Sequence, residues 1–345
     1  MTRNVHLNGS VPMADARAVF EAVGTALGPL IRWIPDGETG PRIDWIMSFQ
    51  PLFANHPALE PSPESFQLHA KVNKVRRFRL KPGKTLQDLT FDNLGYADVA
   101  RDSYASFVDL KRKGTIHRDA KFLITIAPAH SVIWPFLEEA LHAAVDPIYN
   151  AAIKREIDKI AAELPHDQIA FQFDVASAVF ARLERNEPSS YGKTKGEMQA
   201  TFTNILIDLG NHVPADIDLL YHLCYGDAAH KHVVEPTDMG DMVEFTNRLM
   251  RGLKRPVQMV HMPVPRGRSD DAYFAPLTGL KLRPETQLCL GLVHYTDGLD
   301  GTRKRMATAE KFVHNFSIAT ECGFGRRDPA TIPELLRIHA QAAQS

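Results

Sequence analysis

The chain has 345 residues, enough to bury one large core as a barrel or to divide into two domains. Lys and Arg total 40 and Asp and Glu 41, a formal charge of -1, so nothing in the balance favours nucleic acid or an anionic membrane as a partner. The three cysteines, Cys224, Cys289 and Cys322, are too few for a disulfide framework and fit a reducing compartment. With no apolar leader after Arg3 and no window of membrane-spanning length, a cytoplasmic protein is the expectation.

In chain order, β-rich runs occur at Val5 to Leu7, Leu30 to Ile34, Lys121 to Ile126 and Ile169 to Phe173. They continue at Ile217 to Tyr221, Val257 to His261, Thr286 to Val293 and Phe316 to Thr320. Helical periodicity fills most intervals: Ala16, Val19, Phe20, Val23 and Leu27 share one face of Ala14 to Leu27, and Ile153, Ile157, Ile160 and Leu164 one face of Tyr149 to Leu164. Thr237 and Asp238 read as a cap for a helix from Met239 to Arg251, stopped by Gly252. Eight strands alternating with helices predict an α/β fold, a (β/α)8 TIM barrel forming a single catalytic domain over residues 1–345.

Two stretches exceed a minimal repeat. Residues 51–115 form a long insertion after the second predicted strand, expected to be a hairpin, loop or lid over the barrel mouth. Its basic run from Lys71 to Lys84 is either a solvated face or a recognition surface for substrate carboxylates. The segment Pro263 to Pro284, rich in Pro, Gly and charge, is expected to wall the active site.

A parallel barrel carries its chemistry at the C-terminal ends of its strands. That rule collects Asn8, Gly9 and Ser10, then Asp36 and Glu38, Asp174, His222 and Cys224, His261, His294 and Asp297, and Glu321 and Cys322. His222 and Cys224 are two apart, so on a strand both face one way, and Cys322 would arrive from the closing strand. One imidazole and two thiolates suit zinc, for which His261 is the best-placed fourth candidate ligand. Cys289 lies early in its strand, at the wrong level, and His230 and His232 are weaker candidates for substrate or metal. The chain lacks a dinucleotide fingerprint, a Walker sequence and the interleaved aromatics of a single-strand groove.

Taken together, these residues resemble the catalytic barrel of the cobalamin-independent methionine synthase family over most of the chain. Gly9-Ser10-Val11-Pro12 is similar to that family's Gly-Ser-Phe-Pro turn, His222-x-Cys224 to its zinc pair, and Cys322-Gly323 to its late Asp-Cys-Gly motif. The resemblance implies zinc without a corrinoid, and a methyl or other alkyl group passed to a small-molecule thiol from an alkyl donor, with a folate admissible as methyl donor. It implies Gly9, Ser10, Glu38 and Asp174 as substrate-binding residues and His294 as the catalytic proton-transfer group; Asp297, three residues on, is the catalytic candidate expected to orient it. The chain departs from the family at His261, where the family has a ligating glutamate, and at Asp174-Val175-Ala176, where the synthase reads Glu-Pro-Ala after its first acid. Exchange of a carboxylate for a neutral imidazole leaves a metal more positive, which keeps open a metal-dependent lyase or hydrolase on the same scaffold.

Overall fold

The computed structural model describes residues 2–67, 74–226 and 232–345; Lys71 of the basic run and His230 lie outside the described residues. The described strands are β1 (Trp33–Pro35), β2 (Leu59–Phe66), β3 (Val75–Leu80), β4 (Lys121–Ile126), β5 (Ile169–Val175), β6 (Asp218–Leu223), β7 (Met259–Pro263), β8 (Gln287–Val293) and β9 (Ser317–Thr320). β2 and β3 form a separate antiparallel hairpin. The others make one parallel sheet in the order β1-β4-β5-β6-β7-β8-β9. Parallel neighbours need crossovers, and helices supply them, including Tyr96–Arg112, His142–Glu163, Lys195–His212, Gly240–Gly252 and Gly298–Ala309. The sheet strands are buried on both faces, so their sequences show apolar runs without alternation.

The sheet curls into a half-barrel. The first predicted strand is represented by one residue, Val5, which makes parallel bridges to Ile31, just before β1, and to Ile318 in β9. Its neighbours extend the contact: Val5 N donates to Leu30 O at 2.8 Å and His6 N to Ile318 O at 2.9 Å.

Register determines what faces inward. Asp174 of β5 pairs with His222 of β6, His222 with His261 of β7, and His261 with Cys289 of β8. Registered parallel neighbours point to the same side, so a position two residues along a strand moves up one layer. Inside the sheet the lowest layer is ionic: Asp218 accepts from Trp33 Nε1 at 2.8 Å and from Lys121 Nζ at 2.9 Å. Above it lies a small apolar cluster of Trp33, Leu123, Ala170, Leu220, Met259, Cys289 and Ala319, distinct from the main core between strands and helices. Gln172 and His222 follow two residues after Ala170 and Leu220, so the polar layer begins one step toward the strand ends.

Only part of the 51–115 excursion stands apart from the repeat. The helix Tyr96–Arg112 is the crossover into β4, with Ala97, Ala100, Ser103, Phe107 and Leu110 buried at helical spacing beneath a charged outer face. The Pro263 to Pro284 segment is not a plain loop: the one-turn helix Asp271–Phe274 is capped by Asp270, whose carboxylate accepts from Tyr273 N at 3.1 Å. Among the described residues no helix is long and apolar enough to cross a membrane.

Candidate metal centre and adjoining cavity

The end of β6 and the turn after β9 bring three soft or borderline donors together. One donor atom each from His222, Cys224 and Cys322 lies within 4.8 Å of the others, and the two Sγ atoms are 3.6 Å apart. Two thiolates on one tetrahedral zinc, each at about 2.3 Å, stand roughly 3.8 Å apart, so the spacing fits such an ion without rearrangement. Gly226 N donates to Cys224 Sγ at 3.1 Å. Cys322 is positioned by a register shift between β8 and β9 around Leu290 and Val293, and by Thr320 Oγ1 donating to the Cys322 carbonyl at 2.6 Å. Among the described residues the cluster supplies three protein donors, the number that a catalytic zinc site uses when its fourth position is left to water or substrate.

His261 stands behind this group. Its Nδ1 is 2.8 Å from His222 Nδ1 and its Nε2 3.0 Å from the Thr320 carbonyl oxygen. Burial holds His222 down to about 3 and pushes His261 well below the usual imidazole range, so both rings are neutral. His6 and Gln172 continue the polar layer: His6 Nε2 is 2.7 Å from Gln172 Oε1, and Gln172 Nε2 donates to Asp174 Oδ1 at 2.8 Å.

The acids Glu38 and Asp174 face the same cavity as the donors. Thr125 Oγ1 donates to Glu38 Oε1 at 2.7 Å, while Glu38 N donates to Asp36 Oδ1 at 2.9 Å and closes a tight turn. Glu38 sits at φ 48, a left-handed conformation that costs a non-glycine residue on the order of 1 kcal/mol, strain that gathers at functional sites. Burial lifts the Glu38 carboxyl to about 7, and burial together with the charge of Glu38 pushes Asp174 well above the carboxylate range. Two buried acids that resist ionisation when alone make a receptor for a cation, whose arrival stabilises both charges. Asp36 is spent differently, on Arg42 at 2.8 Å and Ser103 Oγ at 2.9 Å.

The cavity has two unlike walls. The inner wall carries Asn8, Ser10, Glu38, Asp174 and the three donors; the outer wall is apolar, from Ile43, Trp45, Ile46 and Met47 and from Phe66, Val75 and Trp134. Arg326 stands at its rim and is exposed. The Gly9-Ser10 turn is latched to the Cys322 loop, since Phe324 N donates to Ser10 O at 2.7 Å and Gly325 N to Ser10 Oγ at 3.2 Å.

His294 and Asp297 stand one step away. His294 Nε2 lies 2.8 Å from Val264 O and its Nδ1 3.7 Å from Glu321 Oε1, and burial lowers the ring to about 4. Glu321 also meets His232 Nε2 at 2.9 Å. Asp297 forms a two-pronged ion pair with Arg305 at 2.7 and 2.9 Å rather than turning to His294. Cys289 stands in register with His261 but is buried in the apolar cluster, apart from the three donors. Sequence reasoning passed over Gln172, Thr125, Thr320 and the outer aromatic wall. Gln172 had a signal, being two residues before Asp174 on one strand.

No family model matches the chain, and no curated protein does. Solved structures do match. A B12-independent methionine synthase from a Shewanella species, in complex with selenomethionine, superposes with a TM-score of 0.62 at 11% identity, covering 95% of this chain and 85% of that one. A Listeria monocytogenes protein assigned as a vitamin-B12-independent methionine synthase gives 0.52 at 15% identity over 95% and 86% of the two chains. A methyltransferase from Methanosarcina mazei gives 0.52 at 11% identity over 99% and 94%. The chain therefore shares the fold of methionine-synthase-like proteins.

Proposed function

We propose that this chain is a zinc-dependent enzyme that transfers a methyl or other alkyl group to a small amino-acid thiol, with its curled sheet completed by the Val5 segment as the eighth stave of a (β/α)8 barrel. The observation that carries this reading is the convergence of His222, Cys224 and Cys322 in one cavity with the buried pair Glu38 and Asp174. His222, Cys224 and Cys322 would hold the ion, which when bound supplies a charge that favours the thiolate form of the substrate sulfur. Glu38 and Asp174 bind the ammonium group and so aim the sulfur toward the donors, with the Ser10 turn and Arg326 beside the carboxylate. Trp45, Phe66 and Trp134 close the opposite side and keep water away from the alkyl carbon. Glu321, between His232 and His294, would favour the protonated form of His294, the group assigned to proton transfer.

The test is metal analysis and thiol binding on the same preparation. Purified protein is expected to hold one equivalent of zinc, lost in Cys224→Ser and Cys322→Ser and kept in Cys289→Ser. In cobalt-substituted protein, amino-acid thiols should perturb the visible spectrum more strongly than thiols lacking the ammonium group, and Glu38→Gln should abolish that preference. Protein that binds no stoichiometric zinc or cobalt would end this reading; alkyl transfer absent but ester or amide hydrolysis present would move it to the lyase or hydrolase alternative.

A further inference from the structure

The hydrogen bonds and burial behind His222 favour one direction. Thr320 O is a carbonyl and only accepts, so His261 Nε2, 3.0 Å away, carries a proton. Asn8 Nδ2 gives one hydrogen to the same carbonyl at 2.9 Å and stands 3.4 Å from His261 Nε2, a longer contact than the 3.0 Å from that nitrogen to the carbonyl, which keeps the ring proton on Nε2. A neutral imidazole has one N–H, which leaves His261 Nδ1 as a bare lone pair facing His222 Nδ1 at 2.8 Å. His222 Nδ1 must then be the donor, and its own lone pair is confined to Nε2, the atom left to join Cys224 and Cys322.

The packing around His261 supports the same reading. The ring is fully buried, in lateral register with His222 on the neighbouring strand. A Cβ on Gly291 would stand 3.0 Å from His261 Nε2 and 2.9 Å from Thr320 O, so a glycine there keeps ring and carbonyl together. The β8 to β9 register shift turns that carbonyl inward.

We propose that His261 is a positioning residue outside the metal shell, which locks His222 as its Nδ1–H tautomer and leaves Nε2 as the metal donor. A ligand's outer partner of this kind typically changes metal affinity 10- to 100-fold. The inference rests on the zinc reading for two of its tests and stands without it for the third. In metal-free protein, long-range 1H–15N correlation should show His222 protonated at Nδ1 and His261 at Nε2; the opposite pattern at either ring overturns the assignment, whether or not zinc binds. In zinc-loaded protein, X-ray absorption should show two sulfurs and one imidazole, and a second imidazole would return His261 to the shell. By chelator competition, His261→Ala should bind zinc roughly 10- to 100-fold more weakly with one equivalent still bound, and His261→Gln, which restores an acceptor, should recover most of that loss. Affinity unchanged in His261→Ala would refute the positioning role.

Discussion

Glu38 illustrates how a single side chain ties stability to function. Its carboxyl titrates near 7 in the folded chain against an ordinary 4.5, because it is buried and faces Asp36, with only partial relief from the Thr125 hydroxyl, Arg42 and Arg326. The folded state thus holds a proton that the unfolded state has released, and stability falls as pH rises from about 4.5 to about 7, by roughly 3 kcal/mol at most. Glu38→Gln should therefore gain thermal stability over the parent at pH 8 and little at pH 5; a difference constant across that range would contradict the linkage. Gly291→Ala should cost about 1–3 kcal/mol in denaturant unfolding, because its Cβ would fall 2.8 Å from Glu321 Cα in a packed layer. At this scale the sequence was informative where spacing alone sets direction, as for His222 and Cys224. It picked out His261 as a candidate ligand but not its orientation, which depends on a carbonyl of β9 that no local pattern reveals.

Among the elements, the β2–β3 hairpin explains why the charge of the basic run was readable but its use was not. Glu60 faces Arg79 across the two strands with a 3.0 Å ion pair, and Arg77 reaches Glu64 at 3.3 Å and the Trp134 carbonyl at 3.2 Å. Those arginines are engaged in register with acids that only the pairing brings opposite. The hairpin docks through Ser62 Oγ on Glu138 at 2.6 Å, Glu138 N on Phe78 O at 3.1 Å, and Phe66 edge-on to Trp134 at 4.7 Å between centroids. A double-mutant cycle on Phe66 and Trp134 should return a coupling of about 0.5–1.5 kcal/mol in stability, and zinc content should be unmoved. Zero coupling would mean that the hairpin is held by its polar contacts. The crossover helix Tyr96–Arg112 was hidden in the same excursion, because its buried face is built largely of alanine and serine rather than large apolar residues.

For the molecule as a whole, the alternation of strand and helix was legible because each sheet strand is an unbroken apolar run, and the order of the sheet follows chain order after β1. The weak point was Val5 to Leu7, too short to be a regular strand and held by bridges on both sides. Val5→Pro removes the donor to Leu30 O and should lower stability by at least ~2 kcal/mol in urea unfolding. A smaller loss would show that the curled sheet does not depend on this seam. The layered interior has a wider consequence. Because an ionic base and an apolar floor lie beneath the polar rim, the rim can be changed without disturbing the foundation. A curled sheet so divided separates the part that holds its shape from the storey where side chains meet a ligand, so substitutions above leave the ground plan standing.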